Sequence, residues 1–391
     1  MTTRIPFSVL QPRDLTFGRG CVDTAVAKTL ALGQQIMLVR GRSAPWNDVF
    51  RDDLRQAGGH VTEAFCTREP HLSDVTDAVT TAREAGCDVL VGVGGGSVID
   101  LAKAVAALVP ARHPAPDYVT GGRALDSPPL PFVAIPTTAG TGAEVTRNSV
   151  ICIPERAQKI SLRDTTMVAD VALIDPALTD GTPASVTFGS GLDALVQVIE
   201  PYLSNRANAY TDALCRQAIP LGIRALSRLA KGECADARDD LAQVSLFGGL
   251  ALTNAGLGAV HGLAGVIGGR FAGVPHGLLC GRLLCATLKV NTEQRRSQGL
   301  DLDRHLEVLS WLEEVAPTTP SDLEAIADVL NDWGVPKLVV LSNLAEADKS
   351  GIISDALASS SMSANGTPLT APDLERVLTL SAAFQEKRKW E

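Results

Sequence analysis

One stretch constrains the fold of this chain more than any other, DVLVGVGGGSVIDLAKAVAAL at residues 88–108. It begins with branched apolar residues that are typical of a buried strand, turns at GGGS (residues 94–97), and continues at helical spacing. A strand, a glycine turn and a helix leave backbone N–H groups at the positive end of the helix dipole, which suits a phosphate. Glycines, which have no Cβ, let such a group approach the main chain. The stretch therefore predicts a βα unit whose turn is either a phosphate site or an ordinary connection.

Strand patterns alternate with helical patterns up to about residue 180, and helical patterns alone follow Pro183. Further strands are predicted at Gln35–Arg40, His60–Phe65, residues 131–136 and residues 171–175, with a hairpin at Asn148–Ile153 and Gln158–Arg163. This alternation predicts a parallel sheet with helices on both faces. Because 391 residues exceed one hydrophobic core, we predict two domains, an α/β domain at residues 1–181 and an all-helical domain at residues 182–391. A ligand cleft is expected between them.

Two local patterns in the helical half have their own interpretation. Ser321 and Glu324 form a capping-box pattern, which predicts a helix that ends at Gly334. Residues 354–372 are rich in Ser, Ala, Pro and Thr, and this composition predicts a loop.

The composition argues against several classes of protein. A net charge of −9 without a cluster of Lys and Arg argues against a nucleic-acid partner. No uninterrupted apolar stretch reaches the length of a membrane span, and the first residues lack the apolar core of a signal peptide. The eight cysteines form no CxxC pair, which predicts reduced thiols rather than disulfides or a zinc knuckle. We therefore expect a cytoplasmic protein without a membrane partner.

A second polar loop, PTTAGTGAEVT at residues 136–146, follows the strand predicted at residues 131–136. Its hydroxyl groups and glycines suit the phosphates, the ribose or the nicotinamide amide of a dinucleotide, although an ordinary polar loop has the same composition. Both glycine-containing loops follow strands of one predicted sheet, at the edge where α/β proteins bind ligands. This agreement favours a dinucleotide site.

The helical half contains a carboxylate, an amide and two imidazoles in apolar surroundings. Asp193 and Gln197 lie four residues apart in GLDALVQVIE and therefore share one helix face. His261 in GLGAVHGLAG and His276 in FAGVPHGLLCG are two of the six histidines. Isolated histidines of this kind are more often structural than ligands. If the carboxylate and both imidazoles converge, they suit a divalent transition metal with one position left for substrate.

Together, GGGSVIDLAKAVA, PTTAGTGAEVT, GLDALVQVIEPY and AVHGLAGVIGGRFAGVPHG resemble the iron-containing (group III) alcohol dehydrogenases, in order and over nearly the whole chain. The resemblance implies a Rossmann-like dinucleotide-binding domain at residues 1–181, a helical metal and substrate domain at residues 182–391, a divalent metal such as iron or zinc, and a homodimer. It also implies that Asp193, His261 and His276 are metal ligands and catalytic residues, with Gln197 at the fourth ligand position. The residues predicted to bind the cofactor are Gly41, Arg42, Gly94, Gly95, Gly96, Ser97, Asp100, Thr137, Thr138, Thr141, Thr146 and Lys159.

The chain departs from the pattern of this family around the metal. Gln197 stands where relatives carry a histidine ligand, and because an amide oxygen is a weaker donor than imidazole, weak or partial metal binding is expected. Gly265 stands where relatives carry a further histidine, so the proton is expected to come through water or the cofactor ribose. There is also one more residue than is typical between His261 and His276.

The segment after the first confident strand bears on the choice of nucleotide. Relatives selective for NAD carry an aspartate there, whereas this chain has Arg40, Gly41, Arg42 and Ser43. Two guanidinium groups suit a 2′-phosphate, although both arginines could equally be solvated surface residues. We therefore expect NADP to bind at least as tightly as NAD.

The expected function is an NAD(P)-dependent oxidoreductase that interconverts a small alcohol and its aldehyde or ketone by hydride transfer, with a metal polarising the carbonyl oxygen. One alternative is a metal-independent carbonyl reductase that resembles the maleylacetate reductases, with His261 or His276 as the acid. The others are a dehydroquinate-synthase-like lyase and a dinucleotide-binding protein that has lost catalysis.

Overall fold

The computed structural model describes residues 6–42, 45–316 and 323–386. The chain divides into two compact units, of which the first is Leu10–Asp180. The second consists of the described residues of Met1–Val9 and Gly181–Glu391. All described strands belong to the first unit, and the second contains helices. The predicted order, an α/β part followed by a helical part, is confirmed.

The first unit is built on one parallel sheet. Its strands are β1 (Asp14–Phe17), β2 (Gln35–Arg40), β3 (His60–Phe65), β4 (Val89–Gly94), β5 (Phe132–Pro136), β6 (Asn148–Ile153), β7 (Gln158–Arg163) and β8 (Val171–Ile174). Six of them form the sheet in the spatial order β1-β8-β5-β4-β2-β3, and β6 pairs with β7 as the predicted antiparallel hairpin. Strand β1 was not predicted, because this edge strand (DLTF) has only four residues, too few for its alternation of polar and apolar residues to stand out.

Helices cover both faces of the sheet. They are α1 (Ala25–Leu30), α2 (Pro45–Gln56), α3 (Leu72–Glu84), α4 (Gly96–Leu108) and α5 (Ala115–Val119). Successive residues of a strand point to opposite faces. Accordingly, Leu90 belongs to one apolar core with Val75 of α3 and Val105 of α4. Its neighbour Val89 belongs to a second core with Leu54 of α2. The prediction of helices on both faces is therefore confirmed.

The second unit is helical throughout its described part. Its helices are α6 (Ala184–Leu203), α7 (Ala209–Leu229), α8 (Ala235–Ala255), α9 (Ala259–Arg270), α10 (His276–Ser297), α11 (Asp303–Leu312), α12 (Glu324–Asp332), α13 (Val339–Ser342), α14 (Glu346–Leu357) and α15 (Ala371–Glu386). Ser321, the predicted cap of α12, lies outside the described residues. Gly334 follows α12 with a φ of 75°, as expected after a helix C-terminus.

The loop predicted at residues 354–372 is shorter than expected. Because α14 continues to Leu357, the prediction is wrong at its start. Ile352, Ile353 and Ala356 are buried on this helix, so apolar packing extends it into the Ser-rich segment. The remainder of the segment contains a short turn of helix at Met362–Ala364 before α15 begins.

No single helix in the described part of the chain combines the length and the apolar character that a membrane span requires. The consecutive helices α8 and α9 meet these criteria only as a pair, and the pair is bent by 100°. Both helices carry many residues that are buried within the protein.

Candidate functional site

The glycine turn that was predicted to bind phosphate connects β4 directly to α4. Gly95 is the N-terminal capping residue of α4, and no side chain caps this helix end. Ser97 lies in the first helical turn, and Thr137 of the next loop donates its backbone N–H to the Gly94 carbonyl over 3.0 Å. The positive end of the helix dipole is therefore not neutralised by a capping carboxylate or hydroxyl group.

The polar loop after β5 packs against this turn. A Cβ atom on Gly95 would lie 3.2 Å from Oγ1 of Thr138, and one on Gly96 would lie 2.7 Å from Oγ1 of Thr141. The two loops follow β4 and β5, which are hydrogen-bonded neighbours in the sheet. The structure therefore brings these predicted cofactor residues together at the carboxyl ends of adjacent parallel strands.

Asp100 and Thr146, also predicted to bind the cofactor, have partners within the protein. Asp100 Oδ2 accepts a hydrogen bond from the Val150 N–H over 3.1 Å. Thr146 Oγ1 accepts one from Lys103 Nζ over 2.9 Å, and Thr146 is buried. Both contacts join α4 to the chain that leads into the hairpin, so each residue has a structural role.

Lys103 is a buried cation that the sequence analysis missed. Besides Thr146 Oγ1, its Nζ donates to the carbonyl oxygens of Ala143, Thr146 and Asn148 at 2.6, 2.7 and 3.0 Å. Burial lowers the pKa of Lys103 and raises the pKa of Asp100, while each charge favours the ionised form of the other. This lysine therefore anchors the polar loop to α4.

Arg40, the last residue of β2, and Arg42, which follows it, differ in how available they are to a cofactor. Arg40 is buried and pairs with Glu63 Oε1 at 2.6 Å and Asp48 Oδ1 at 2.9 Å. The expectation that both guanidinium groups face a 2′-phosphate therefore needs correction for Arg40. Arg42 is exposed, and its guanidinium carbon lies 4.6 Å from the centre of the Phe65 ring.

The other residues predicted near the cofactor are placed as follows. A Cβ on Gly41 would meet no described atom within 4 Å, so the position borders open space. Ser43 lies outside the described residues. Lys159 Nζ pairs with Glu69 Oε1 at 2.6 Å, and its role in binding the cofactor stays a prediction.

Asp193, His261, His276 and Cys280 form a compact cluster in the second unit, with one donor atom from each within 4.8 Å of the others. Asp193 Oδ1 lies 3.3 Å from His261 Nε2 and 3.7 Å from His276 Nε2. Cys280 Sγ lies 3.6 Å from His276 Nε2. The structure therefore brings together three residues that the sequence analysis singled out and adds a cysteine that it missed. The spacing of His276 and Cys280, one helical turn apart, was the available signal.

Glycines allow α10 to approach α6 closely. A Cβ on Gly277 would lie 1.8 Å from the carbonyl oxygen of Gly189, and one on Gly281 would lie 2.7 Å from a leucine side chain of α6. Larger residues at these positions would separate the two helices. His276 and Cys280 immediately precede these glycines, so the close approach places both side chains beside the carboxylate of α6.

Glu200 holds His261 in place and was also missed by the sequence analysis. Its Oε2 lies 2.6 Å from His261 Nδ1, and its Oε1 accepts the Val260 N–H over 2.6 Å. A carboxylate at the start of α9 interacts favourably with the helix dipole. Because Nδ1 is held by Glu200, Nε2 of the imidazole faces the cluster. Glu200 follows Asp193 by seven residues, a spacing that keeps both on one face of α6.

The donor set of the cluster fits a divalent metal. Asp193 Oδ1 and His261 Nε2 are buried 3.3 Å from each other, so a proton on the imidazole would pair them, and a divalent ion would take the place of that proton. Burial raises the pKa of Asp193, but His276 and His261 lower it overall. Burial lowers the pKa of His261, but Cys280, Glu200 and Asp193 together raise it well above its usual value. Surroundings that favour a protonated imidazole also attract a cation.

Gln197, predicted at the fourth ligand position, is buried on α6. Its Nε2 lies 3.3 Å from the place of a Cβ on Gly248, so the amide packs against α8. Its role as a ligand remains a prediction. A Cβ on Gly265 would meet no described atom within 4 Å, so a side chain there would have room.

Two family models match this chain. The model described as "Iron-containing alcohol dehydrogenase" matches residues 12–176, and the one described as "Fe-containing alcohol dehydrogenase family, C-terminal" matches residues 187–382. The chain belongs to the iron-containing alcohol dehydrogenase family. Membership of this family makes it an NAD(P)-dependent oxidoreductase that interconverts an alcohol and a carbonyl compound, with a divalent metal as a further cofactor. The predicted family and class of reaction are confirmed.

Individual relatives agree with this assignment. Long-chain-alcohol dehydrogenase 1 of Geobacillus thermodenitrificans is 39% identical over 268 residues, which cover 66% of this chain and 67% of that protein. NAD-dependent methanol dehydrogenase of Bacillus methanolicus is 33% identical over 274 residues, which cover 68% of this chain and 71% of that protein. The crystal structure of a 1,3-propanediol oxidoreductase superposes with a TM-score of 0.86 at 28% identity, covering 96% of this chain and 100% of that one.

Proposed function

We propose that this iron-containing alcohol dehydrogenase acts on a small alcohol and its aldehyde or ketone, with the metal held by Asp193, His261 and His276. The cofactor diphosphate is held by the turn at residues 94–97 and the threonines beside it. The convergence of Asp193, His261 and His276, whose donor atoms lie within 4.8 Å of one another, carries this proposal.

When bound, NAD(P)H supplies the reducing hydride and the divalent metal supplies Lewis acidity. Asp193 contributes the negative charge that retains a cation. Glu200 fixes the ring of His261 so that Nε2, rather than Nδ1, is offered to the cluster. The His276 side chain is 28% exposed, so a small substrate reaches the cluster from this side. Because position 265 carries no imidazole, the proton comes through water or the cofactor ribose.

Chelation tests the role of the metal. We expect oxidation of NAD(P)H with small aldehydes to cease when a strong chelator removes the metal and to return when Zn²⁺ or Fe²⁺ is added. Metal content should be measured on the same samples. Full activity in protein that contains no metal would contradict the proposal and favour a metal-independent carbonyl reductase.

Gly96→Val should abolish cofactor binding. The valine Cβ would lie within 2.7 Å of Thr141 Oγ1, and the rest of the side chain would occupy the space proposed for the diphosphate. We expect the dissociation constant for NAD(P)H, measured by fluorescence titration, to rise by at least about 100-fold, or about 2.8 kcal/mol. The far-ultraviolet circular dichroism spectrum serves as the folding control. Unchanged affinity in a folded variant would exclude the turn at residues 94–97 as the site of the diphosphate.

Arg42→Ala should weaken NADPH binding more than NADH binding. The guanidinium of Arg42 is exposed and forms no ion pair with a carboxylate among the described residues, whereas Arg40 is engaged by two carboxylates, so Arg42 is the arginine proposed to bind a 2′-phosphate. Loss of one charge-assisted hydrogen bond, worth about 1.5–3 kcal/mol, should weaken NADPH binding by about tenfold or more. Arg123→Ala, at another exposed arginine, is the control and should change neither affinity. A clear preference for NADH that Arg42→Ala leaves unchanged would contradict this assignment.

We further propose that the enzyme is a cytoplasmic homodimer without nucleic-acid or membrane partners. The dimer is supported by the family resemblance, and the absence of a nucleic-acid partner by the net charge of −9. Light scattering should give twice the chain mass of 41.0 kDa. A mass equal to that of one chain would contradict the dimer.

A further inference from the structure

We propose that Cys280 is a metal ligand in this chain and that its thiolate takes the place of the imidazole that is missing at Gln197. This inference rests on the proposed metal function, and it adds a sulfur donor to the oxygen and nitrogen donors of the cluster. It also predicts which metal the enzyme prefers.

The geometry of α10 places the thiol among the other donors. Cys280 Sγ belongs to the set of ligand atoms that lie within 4.8 Å of one another. Cys280 is fully buried, and its Sγ lies 3.6 Å from His276 Nε2. Residues one turn apart on a helix share a face, so His276 and Cys280 present their donors together towards the Asp193 carboxylate.

The charge of the site supports a thiolate. With a glutamine at position 197, the donors predicted from the sequence are one carboxylate, two neutral imidazoles and one neutral amide. These carry a single negative charge against the two positive charges of a divalent ion. Buried charge is costly when it is not compensated. Deprotonation of Cys280 on metal binding, with the proton released to solvent, makes the ligands and the ion neutral as a group, and the buried Glu200 carboxylate behind His261 adds a further charge that favours the cation.

A thiolate also changes the preference for metals. Thiolate is a soft donor that favours zinc, whereas oxygen donors favour hard ions such as Mg²⁺ and Mn²⁺. One carboxylate, two imidazoles and one thiolate form a set that suits Zn²⁺. We therefore infer that this member of the family retains zinc more tightly than ferrous iron.

Cobalt substitution gives a readout of the ligand that is independent of activity. The full-length protein loaded with Co²⁺ should show the near-ultraviolet charge-transfer band of a thiolate–cobalt bond. Cys280→Ser should remove this band and weaken cobalt binding by at least about 10-fold, because even outer partners of a metal site contribute 10–100-fold. Cys285→Ser is the matched control, since Cys285 is also buried on α10 but lies outside the cluster. This variant should keep both the band and the affinity.

A second substitution tests the replacement directly. Adding Gln197→His to the Cys280→Ser protein should restore cobalt affinity without restoring the charge-transfer band. Failure to restore affinity would overturn the claim that the thiolate replaces the imidazole. Cobalt binding by the unmodified protein without a thiolate band would overturn the role of Cys280 and leave the metal function intact. No cobalt binding at all would overturn both.

Discussion

Replacing Asp193 by asparagine should remove the metal and nearly all activity. The carboxylate is buried, and its Oδ1 lies between the Nε2 atoms of His261 and His276. An amide keeps the shape of the side chain but loses the charge that holds a divalent ion. Because Lewis-acid stabilisation is worth several kcal/mol, we expect kcat/KM to fall by about 10³-fold, or about 4 kcal/mol. Steady-state kinetics and elemental analysis of the same preparation check the result.

Replacement of a neighbouring carboxylate, Glu200, should have a smaller effect on metal binding than replacement of Asp193. Glu200→Gln alters the partner of His261 Nδ1 rather than a proposed ligand. We expect metal affinity to fall by about 10–100-fold, as for other outer partners of metal sites. Equal effects of Asp193→Asn and Glu200→Gln would contradict the proposed division of roles, and normal metal content in Asp193→Asn would exclude Asp193 as a ligand.

Lys103→Met should destabilise the first unit strongly. The variant deletes the cation that contacts the carbonyl oxygens of Ala143, Thr146 and Asn148, and only weaker contacts from Thr146 to the Ala143 and Asn148 oxygens would remain. It also removes the positive charge near Asp100. Breaking a buried charged network costs about 3–5 kcal/mol, so we expect a loss of that size in the free energy of unfolding. Denaturant unfolding monitored by circular dichroism measures it.

Lys28→Met is the control for this prediction. Lys28 pairs with Asp14 near the surface of the same unit, and its side chain is 27% exposed. Pairs of this kind contribute about 0–1 kcal/mol, so the variant should unfold almost as the unmodified protein does. A similar small loss for Lys103→Met would show that the buried lysine is not an anchor of the polar loop.

The sequence predicted most of the first unit because its sheet has strong local signals. The bounds of β2, β3, β6 and β7 match the predicted ones, since branched apolar runs bounded by turn residues are distinctive. The edge strand β1 has no such run. Lys103 was missed for a different reason. Its partners are mainly backbone carbonyl groups, which leave no trace in the identity of the side chains.

The metal cluster was only partly predictable. The family resemblance singled out Asp193, His261 and His276, but no sequence pattern shows how close three helices come. That distance depends on Gly277, whose missing Cβ admits the Gly189 carbonyl, and such a contact is defined only after packing. The packing of the helices also brings Cys280 and Glu200 to the site.

Glu200 accepts hydrogen bonds from the backbone N–H groups of Val260 and His261 at the start of α9, and its carboxylate also contacts Nδ1 of the His261 ring. Fraying of the start of α9 would therefore also release a metal ligand, and loss of the ion would remove a constraint on that helix end. The free energy that retains a cation is in this way also free energy that keeps the first turn of α9 closed. In this enzyme, metal retention and the local order of one helix are therefore expected to be thermodynamically coupled.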